Sequence, residues 1–565
     1  MKNMKKLASL LLVLVMALAL TVPAFAATVT VPSEGILKDH TFTAYQVFSG
    51  REEDGVLSDV QWGSGINHTA FLAALKAETT YGSLFTNCTD AAAVAKVLSD
   101  NTTNSALANQ VAKLAYANKT GAGTALTVGE NTLADGYYLV VDTTANVGEG
   151  GAYNTALLQV VGNISITAKT DAPTSEKKIV EGGNKVVTNE ASIGDTVSYE
   201  ITGTLPTNLA DYNTYYYVFT DTLSKGLTYK ENSIKVVLYA NGEDTNGKEV
   251  TTYFYKNVGT YDATNGTTIT VGIQDLLALS LLEGVNVTKD SKIVITYSAT
   301  LNENAVIAGE GNPNDVQLKY SNDPNESGTG ATTPPSETPE KPNPTHPTGD
   351  TPKKTVVTYT TELTILKNDE NHNILPGAEF TLTGNGVNIV LVTTEKFTVA
   401  TDGTYWKLTN GTYTTTEPTV DNSADYADTN TKYNKTTELV AKGTGKTEAS
   451  VVGAVDSETG TVTFTGLGAG TYTITETKTP AGYNTIAPIE FTLTFNVADK
   501  KFVSNNDQIV VGNDNKLDTT IVNKAGATLP ETGGIGTTIF YVLGSILVLG
   551  AGVLLIAKKR MGEEK

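Results

Sequence analysis

Between residues 27 and 528 the chain is built of short runs in which apolar and polar residues alternate, separated by turns rich in Gly, Asn and Asp. Val197, Tyr199 and Ile201 alternate, as do Ile293, Ile295, Tyr297 and Ala299, and again Val316, Leu318 and Tyr320. Residues two apart in a strand share a face, so each run predicts a strand with one buried side. From about 173 to 330 no long amphipathic helix interrupts this pattern, although 273–282 offers a short one. Residues 27–172 are mixed. Strand patterns over 41–48, 137–142 and 157–167 flank two helical segments, 90–98 and 105–117. In the second helix Leu107, Val111 and Leu114 fall on one face, with Asn104 or Ser105 able to cap its start.

Residues 331–353, rich in Pro and Thr, read as an extended linker or surface loop that builds no core. Strands resume over 354–528, at Leu363 to Leu366, Thr461 to Phe464, Thr471 to Glu476 and Thr519 to Val522. The expected fold class is mostly β: a mixed, mainly β N-terminal domain followed by tandem Ig-like β-sandwiches, 173–330 and 354–528.

The two ends carry targeting information. Lys2, Lys5 and Lys6 precede an apolar run closed by Ala24-Phe25-Ala26, which reads as a secretory signal peptide over 1–26. At the other end, residues 534–557 form an apolar stretch long enough to span a bilayer, followed by a basic cytoplasmic tail over 558–565. The whole chain carries −20, and the part between these basic ends is more acidic still. Such a surface repels nucleic acid, which is excluded as a partner. With Cys88 the single cysteine of an exported chain, no internal disulfide can form.

Just outside the span stands Leu529-Pro530-Glu531-Thr532-Gly533. The ordered set of pentapeptide, apolar span and basic tail resembles the cell-wall sorting signal of Gram-positive surface proteins. That resemblance implies cleavage by a sortase between Thr532 and Gly533, peptidoglycan as an anchoring partner, and residence at the cell wall.

Polar residues occupy positions that parity assigns to the core. Leu363, Ile365 and Lys367 share a face, as do Tyr472, Ile474 and Glu476, and Ile521 and Asn523. Earlier in the chain Lys177 shares parity with Ile179, Asp221 with Phe219 and Leu223, and Asn322 with Val316, Leu318 and Tyr320. Burial lowers the pKa of a lysine and raises that of an acid, so both tend to become neutral. A neutral amine is a nucleophile, an Asn side chain its electrophile, and a protonated carboxyl group can polarise the carbonyl and shuttle protons.

The run Tyr472-Thr-Ile-Thr-Glu-Thr-Lys-Thr-Pro-Ala-Gly-Tyr483 resembles the glutamate box of collagen-adhesin B-type domains in Gram-positive pilins. Gly194-Asp-Thr-Val-Ser-Tyr-Glu-Ile201, Asp221-Thr-Leu-Ser-Lys-Gly-Leu-Thr-Tyr229 and Tyr320-Ser-Asn-Asp-Pro-Asn325 resemble the middle domain of those pilins. The resemblance implies two intramolecular isopeptide bonds, Lys177–Asn322 with Asp221 as the acid and Lys367–Asn523 with Glu476. Lys178 is the alternative to Lys177, which parity favours. Each bond closes a loop of nearly a whole domain; by analogy with disulfides, ~100 residues so closed are stabilised by about 4–5 kcal/mol.

In such pilins the lysine that receives the sortase-bound Thr lies at the end of the first domain. Here Ile164, Ile166 and Ala168 would point inward and turn Lys169 outward. Thr-Ala precedes this lysine where the family more often has Tyr-Pro, and Lys177 and Lys178 are nearby competitors. The expected function is a major pilus backbone subunit used in adhesion, with a pilus-type sortase, further copies of itself and accessory pilins as partners. A wall-anchored adhesin or minor pilin, its first domain binding a host ligand, is the other reading. An enzyme acting on outside substrates is disfavoured. His40, His68, His346 and His372 show no metal-ligand spacing, Cys88 lacks a nucleophile signature, and Gly466-Leu-Gly-Ala-Gly470 lies between strands as a turn. No cofactor or metal is expected.

Overall fold

The computed structural model describes residues 27–53, 56–160, 164–243, 245–384, 390–442 and 450–526. The signal segment, the sorting pentapeptide, the apolar span and the basic tail lie outside these. Among the described residues no helix is long and apolar enough to cross a membrane.

In the first domain a sheet runs in the order Val56–Trp62, Phe42–Glu53, Gly136–Asp142, Leu157–Val160, with Thr124–Leu126 beside Phe42–Glu53. Gly136–Asp142 is apolar without alternation because both of its faces are covered. Tyr137, Leu139 and Val141 meet the helices, while Tyr138 and Val140 meet Val29 and Val31 of a smaller sheet. Helices His68–Ala77, Ala91–Asp100 and Ser105–Ala117 supply the cover. Asp90 accepts the Ala93 N–H at 2.9 Å and Asn104 the Leu107 N–H at 3.0 Å, each satisfying an otherwise orphaned amide of a first turn. The His68–Ala77 helix escaped the sequence reading because it buries only Phe71 and Leu75, too few to display a period. Cys88 packs into this core, where burial pushes its thiol pKa up and leaves it inert.

The middle domain is a sandwich. One sheet orders Asn184–Val186, Ser175–Glu181, Thr196–Thr204, Lys292–Leu301, Lys235–Tyr239 and Lys248–Glu249. The facing sheet orders Thr188–Glu190, Lys354–Tyr359, Asn312–Ser321, Tyr217–Leu223, Thr267–Ile273 and Tyr255–Val258. Tyrosines fill much of the space between them, with Tyr199, Tyr215, Tyr217 and Tyr320 all within 1 % of full burial. The helical expectation at 273–282 reduces to a 3-10 turn, Leu277–Leu281.

Residues 331–353 are not a spacer between bodies. They form a strap that crosses the middle domain, the Asn343 N–H donating to Gln274 Oε1 at 2.8 Å. Thr348–Asp350 adds to the Asn312–Ser321 strand, and Lys319 pairs with Asp350 at 2.7 Å. The buried Thr351 hydroxyl accepts the Leu318 N–H at 3.1 Å. The next strand, Lys354–Tyr359, pairs with Asn312–Ser321 and Thr188–Glu190, so these six residues also belong to the middle domain, although the sequence pattern put them in the third.

Only Thr360, fully buried, separates that strand from the third domain. Here one sheet orders Tyr433–Lys442, Val390–Val399, Thr461–Leu467, Thr361–Asp369, Leu517–Asn523 and Val510–Val511. It faces Ser450–Ala454, Glu379–Gly384, Gly470–Lys478, Ile489–Asn496 and Lys501–Ser504. The turn around Gly466 docks on the middle domain. Gly466 O accepts the Ile193 N–H at 3.0 Å, and the Ala469 N–H donates to Glu190 Oε2 at 2.6 Å. Gly466 adopts φ +92°, and a Cβ there would lie 2.6 Å from Ile193 Cδ1, so this position requires glycine.

A fragment 173–353 lacks the Lys354–Tyr359 strand and bares the edge of Asn312–Ser321. It is expected to melt at a lower temperature than fragment 173–360, and calorimetry on the two measures the difference.

Candidate functional site

The buried lysines among the described residues are Lys177, 2 % exposed, and Lys367, 0 % exposed. Lys177 lies on Ser175–Glu181, whose inward positions are Ser175, Lys177 and Ile179. Asp221 reaches it from Tyr217–Leu223 in the opposite sheet. Lys177 Nζ donates to Asp221 Oδ2, and to the Tyr297 hydroxyl at 3.0 Å. Tyr297 in turn donates to Asp221 Oδ1 at 2.7 Å. A fourth group completes the cluster: Asn314 Nδ2 donates to the Tyr297 oxygen at 2.7 Å. Asn314 is fully buried and its Oδ1 has no partner among the described residues. Burial lowers the Lys177 pKa against the opposing charge of Asp221, and burial raises that of Asp221 against Lys177. Both shifts favour a neutral amine beside a neutral acid.

Asn322 is not in this cluster. In the register of the facing sheet Asp221 pairs with Val316, and Leu223 with Asn314. Asn322 lies beyond the other end of its strand, six residues past Val316 and thus ~20 Å along it. Its carbonyl accepts the Tyr153 N–H at 2.8 Å, which places it in the joint with the first domain. Asn314 has the same parity as Asn322 and stands on the side of Asp221 where the lysine is. Of the two candidate lysines, Lys178 points outward and pairs with Glu176 at 2.9 Å.

In the third domain Lys367 and Asn523 come from parallel neighbours, Thr361–Asp369 and Leu517–Asn523, with Lys367 opposite Ile521 and Asp369 opposite Asn523. Glu476 projects from the facing sheet, and its Oε1 accepts Asn523 Nδ2 at 2.7 Å. The other oxygen accepts the Ile486 N–H at 3.1 Å. Lys367 Nζ donates to the carbonyls of Asn368 and Ile521, at 3.1 and 3.4 Å. Burial lowers its pKa, opposed by Glu476 and Asp369. Asn523 Oδ1, like that of Asn314, has no partner among the described residues. Each centre thus presents a desolvated amine, a carboxyl group and an amide carbonyl open to attack.

Lys169 has the opposite character. Its side chain is exposed while its backbone is held at the junction of the first and middle domains. Its N–H donates to Asn154 Oδ1 at 2.6 Å, and its carbonyl accepts from Thr155 Oγ1 at 3.1 Å and Asn208 Nδ2 at 3.2 Å. Ile166 points inward, but Ala168 is exposed, because the short strand Ile164–Ser165 has ended and the alternation ends with it. Around this junction Asn325 accepts the Ala156 N–H at 2.7 Å and donates to Asn154 O at 3.0 Å, and Tyr116 donates to Glu326 at 2.9 Å. The motif Tyr320 to Asn325 therefore builds the domain joint.

Comparison with known sequences bears on this arrangement. Residues 193–324 match the family described as Gram-positive pilin backbone subunit 2, Cna-B-like domain. Residues 432–508 match a prealbumin-like fold domain and 521–561 the LPXTG cell wall anchor motif. The chain thus carries stretches similar to a Gram-positive pilin backbone domain, a prealbumin-like domain and a cell wall anchor. The chain is 26 % identical over 406 residues to the trypsin-resistant surface T6 protein of Streptococcus pyogenes serotype M6, an alignment covering 70 % of each chain. Among solved structures it is similar to the T6 backbone pilin of that serotype, with 15 % identity, 89 % and 99 % coverage and a TM-score of 0.47. It is also similar to the full-length major pilin SpaD of Corynebacterium diphtheriae, with 16 % identity, 89 % and 98 % coverage and a TM-score of 0.43. The protein is a cell-wall-anchored surface protein.

In the joint between the first and middle domains, burial pushes the Asp323 pKa up from 3.8 to about 6. The folded protein therefore holds that proton more tightly than the unfolded chain. The contribution to stability is fully present below about pH 4 and is lost as pH rises through about 6. Thermal melts of the full chain across this window are expected to show the decline, and Asp323→Asn to flatten it.

Proposed function

We propose that this structural pilus subunit polymerises through Lys169 and Thr532 and locks its middle and third domains with self-formed amide bonds. A pilus-type sortase cuts after Thr532 and holds it as an acyl-enzyme. The Lys169 amine of the next copy attacks that acyl group, and repetition builds a covalent homopolymer. The last subunit passes to peptidoglycan, and accessory pilins join by the same chemistry. The observation that carries this reading is the contrast between lysines: Lys169 exposed on a pinned backbone, Lys177 and Lys367 sealed in apolar cores beside an acid and an amide. A monomeric adhesin would have no use for an acceptor lysine at that junction, and the backbone-pilin match of the middle domain does not favour it.

For the internal bonds, the reading joins Lys177 to Asn314, with Asp221 as the acid, and Lys367 to Asn523, with Glu476. In each the lysine Nζ forms a bond to the Asn side-chain carbon, the bond from that carbon to Nδ2 breaks, and ammonia leaves.

Intact mass of the mature protein is expected to fall about 17 Da short per bond, the mass of ammonia. Lys177→Ala or Asn314→Ala should restore one increment, Lys367→Ala or Asn523→Ala the other, and Asn322→Ala neither. Recovery of all four residues unmodified by peptide mapping removes the crosslink reading. Co-expression with the sortase is expected to give a ladder of boiling-resistant species on a denaturing gel that disappears in Lys169→Ala. A ladder that persists assigns the acceptor elsewhere.

A further inference from the structure

The two crosslinking centres solve the same problem with different parts. In the third domain the carboxyl group itself touches the leaving nitrogen, Glu476 Oε1 lying 2.7 Å from Asn523 Nδ2. In the middle domain the acid is an aspartate, one methylene shorter. Its Oδ2 accepts from Lys177 and its Oδ1 accepts from Tyr297. Asn314 Nδ2 finds the Tyr297 hydroxyl in its place. Tyr297 thus contacts the attacking nitrogen, the acid and the leaving nitrogen at 3.0, 2.7 and 2.7 Å.

We propose that Tyr297 is a catalytic residue of the middle domain's self-crosslinking, carrying the proton from Asp221 to the departing nitrogen of Asn314. This inference rests on the crosslink reading above. Lys177 gives a proton to Asp221 and becomes a neutral amine. Its Nζ bonds to Asn314 Cγ, and the carbonyl electron pair moves onto Oδ1. Asp221 donates its proton to the Tyr297 oxygen while the Tyr297 proton passes to Nδ2, which leaves as ammonia when the carbonyl re-forms. The extra proton on Nζ returns to Asp221. Before attack the Tyr297 hydroxyl accepts from Nζ and Nδ2 and donates to Asp221. Once Asp221 holds the lysine proton and Nδ2 has become a tetrahedral amine with its own lone pair, the same hydroxyl turns to accept from Asp221 and donate to Nδ2, which its two lone pairs and one proton allow. Burial raises the Tyr297 pKa, which keeps the phenol protonated between transfers. The rings of Tyr297 and Tyr199 also flank Nζ, at 5.2 and 5.3 Å from their centroids, and close the site to water.

The test uses the full mature chain with Tyr297→Phe, which removes one oxygen and keeps the ring. The variant is expected to form its middle-domain bond roughly 10²-fold more slowly, in the range of a positioned general acid. Freshly purified protein then carries an excess of about 17 Da over wild type, with Lys177 and Asn314 recovered unlinked. The Lys367–Asn523 peptide, present in both, reports that the third domain has folded, and an unchanged middle-domain melting transition reports the same of the domain that carries the substitution. Adding Asp221→Glu to Tyr297→Phe transplants the longer acid of the third domain and is expected to restore the bond, a rescue that mere packing by the tyrosine does not predict. Bond formation in Tyr297→Phe at the wild-type rate overturns the relay. So does a folded double variant that stays unlinked. A wild-type protein without the Lys177–Asn314 peptide instead overturns the crosslink reading itself, which the Tyr297→Phe comparison leaves separately visible.

Discussion

An ammonium group has no stable place among hydrocarbon side chains, and the organisation of the middle and third domains follows from putting one there twice. Burial of an unpaired charge costs several kcal/mol, which in the middle domain is met by shifts that favour the neutral form of both partners. Lys177 and Asp221 shift toward each other's proton. Around each lysine the sheets are continuous and the neighbouring side chains large, so little solvent is available to restore the charge. What is unfavourable as an ion pair becomes favourable as chemistry, because a desolvated amine is the reactive form. The unpartnered carbonyl oxygens of Asn314 and Asn523 belong to the same logic. A buried acceptor left open is costly, and under the proposed crosslinks the oxygens of Asn314 and Asn523, two of several such acceptors among the described residues, are the atoms on which charge would develop.

Strand parity in the sequence was enough to find Lys177, Asp221, Lys367, Glu476 and Asn523 as inward-facing polar residues, and the structure brings these together. Parity also groups Asn322 with Lys177 and Asp221, and the structure places that residue elsewhere, for an identifiable reason. Parity tells which face a residue occupies, not how far along the strand it lies. Asn314 and Asn322 are indistinguishable by that rule, and only the register, with Asp221 opposite Val316, separates them. Tyr297 was visible as one more core position in an alternating strand, with nothing local to mark its hydroxyl. The prolines of residues 331–353 predict an end to the middle domain before its last strand. Residues 331–353 are extended as that composition dictates, yet they pair along a sheet edge, and the following strand completes the same sheet.

The domain joints share one device: a backbone amide or carbonyl of one domain met by a side chain or carbonyl of the next. Asn325 performs it between the first and middle domains, Glu190 and Ser192 between the middle and third. Such joints are more polar than a core and depend on fixed geometry, which glycines at the contact permit. They also explain why Lys169, with an exposed side chain, occupies a defined location. The residues that hold its backbone come from both domains that meet there.

The strap acquires a further meaning when a fibre is pulled. Under the proposed linkages, a load entering at Lys169 and leaving at Thr532 would bypass the first domain and cross both sandwiches through the Lys177–Asn314 and Lys367–Asn523 amides. Between those bridges it must still travel the backbone from Asn314 to Lys367. Asn314 and Val356 are cross-strand partners, so the force draws apart two facing residues and opens the ladder one rung at a time. The roughly 40 residues between them would add on the order of 130 Å of contour. The fibre would then have built into each link a short reserve of slack that yields and re-forms while every covalent bridge stays whole.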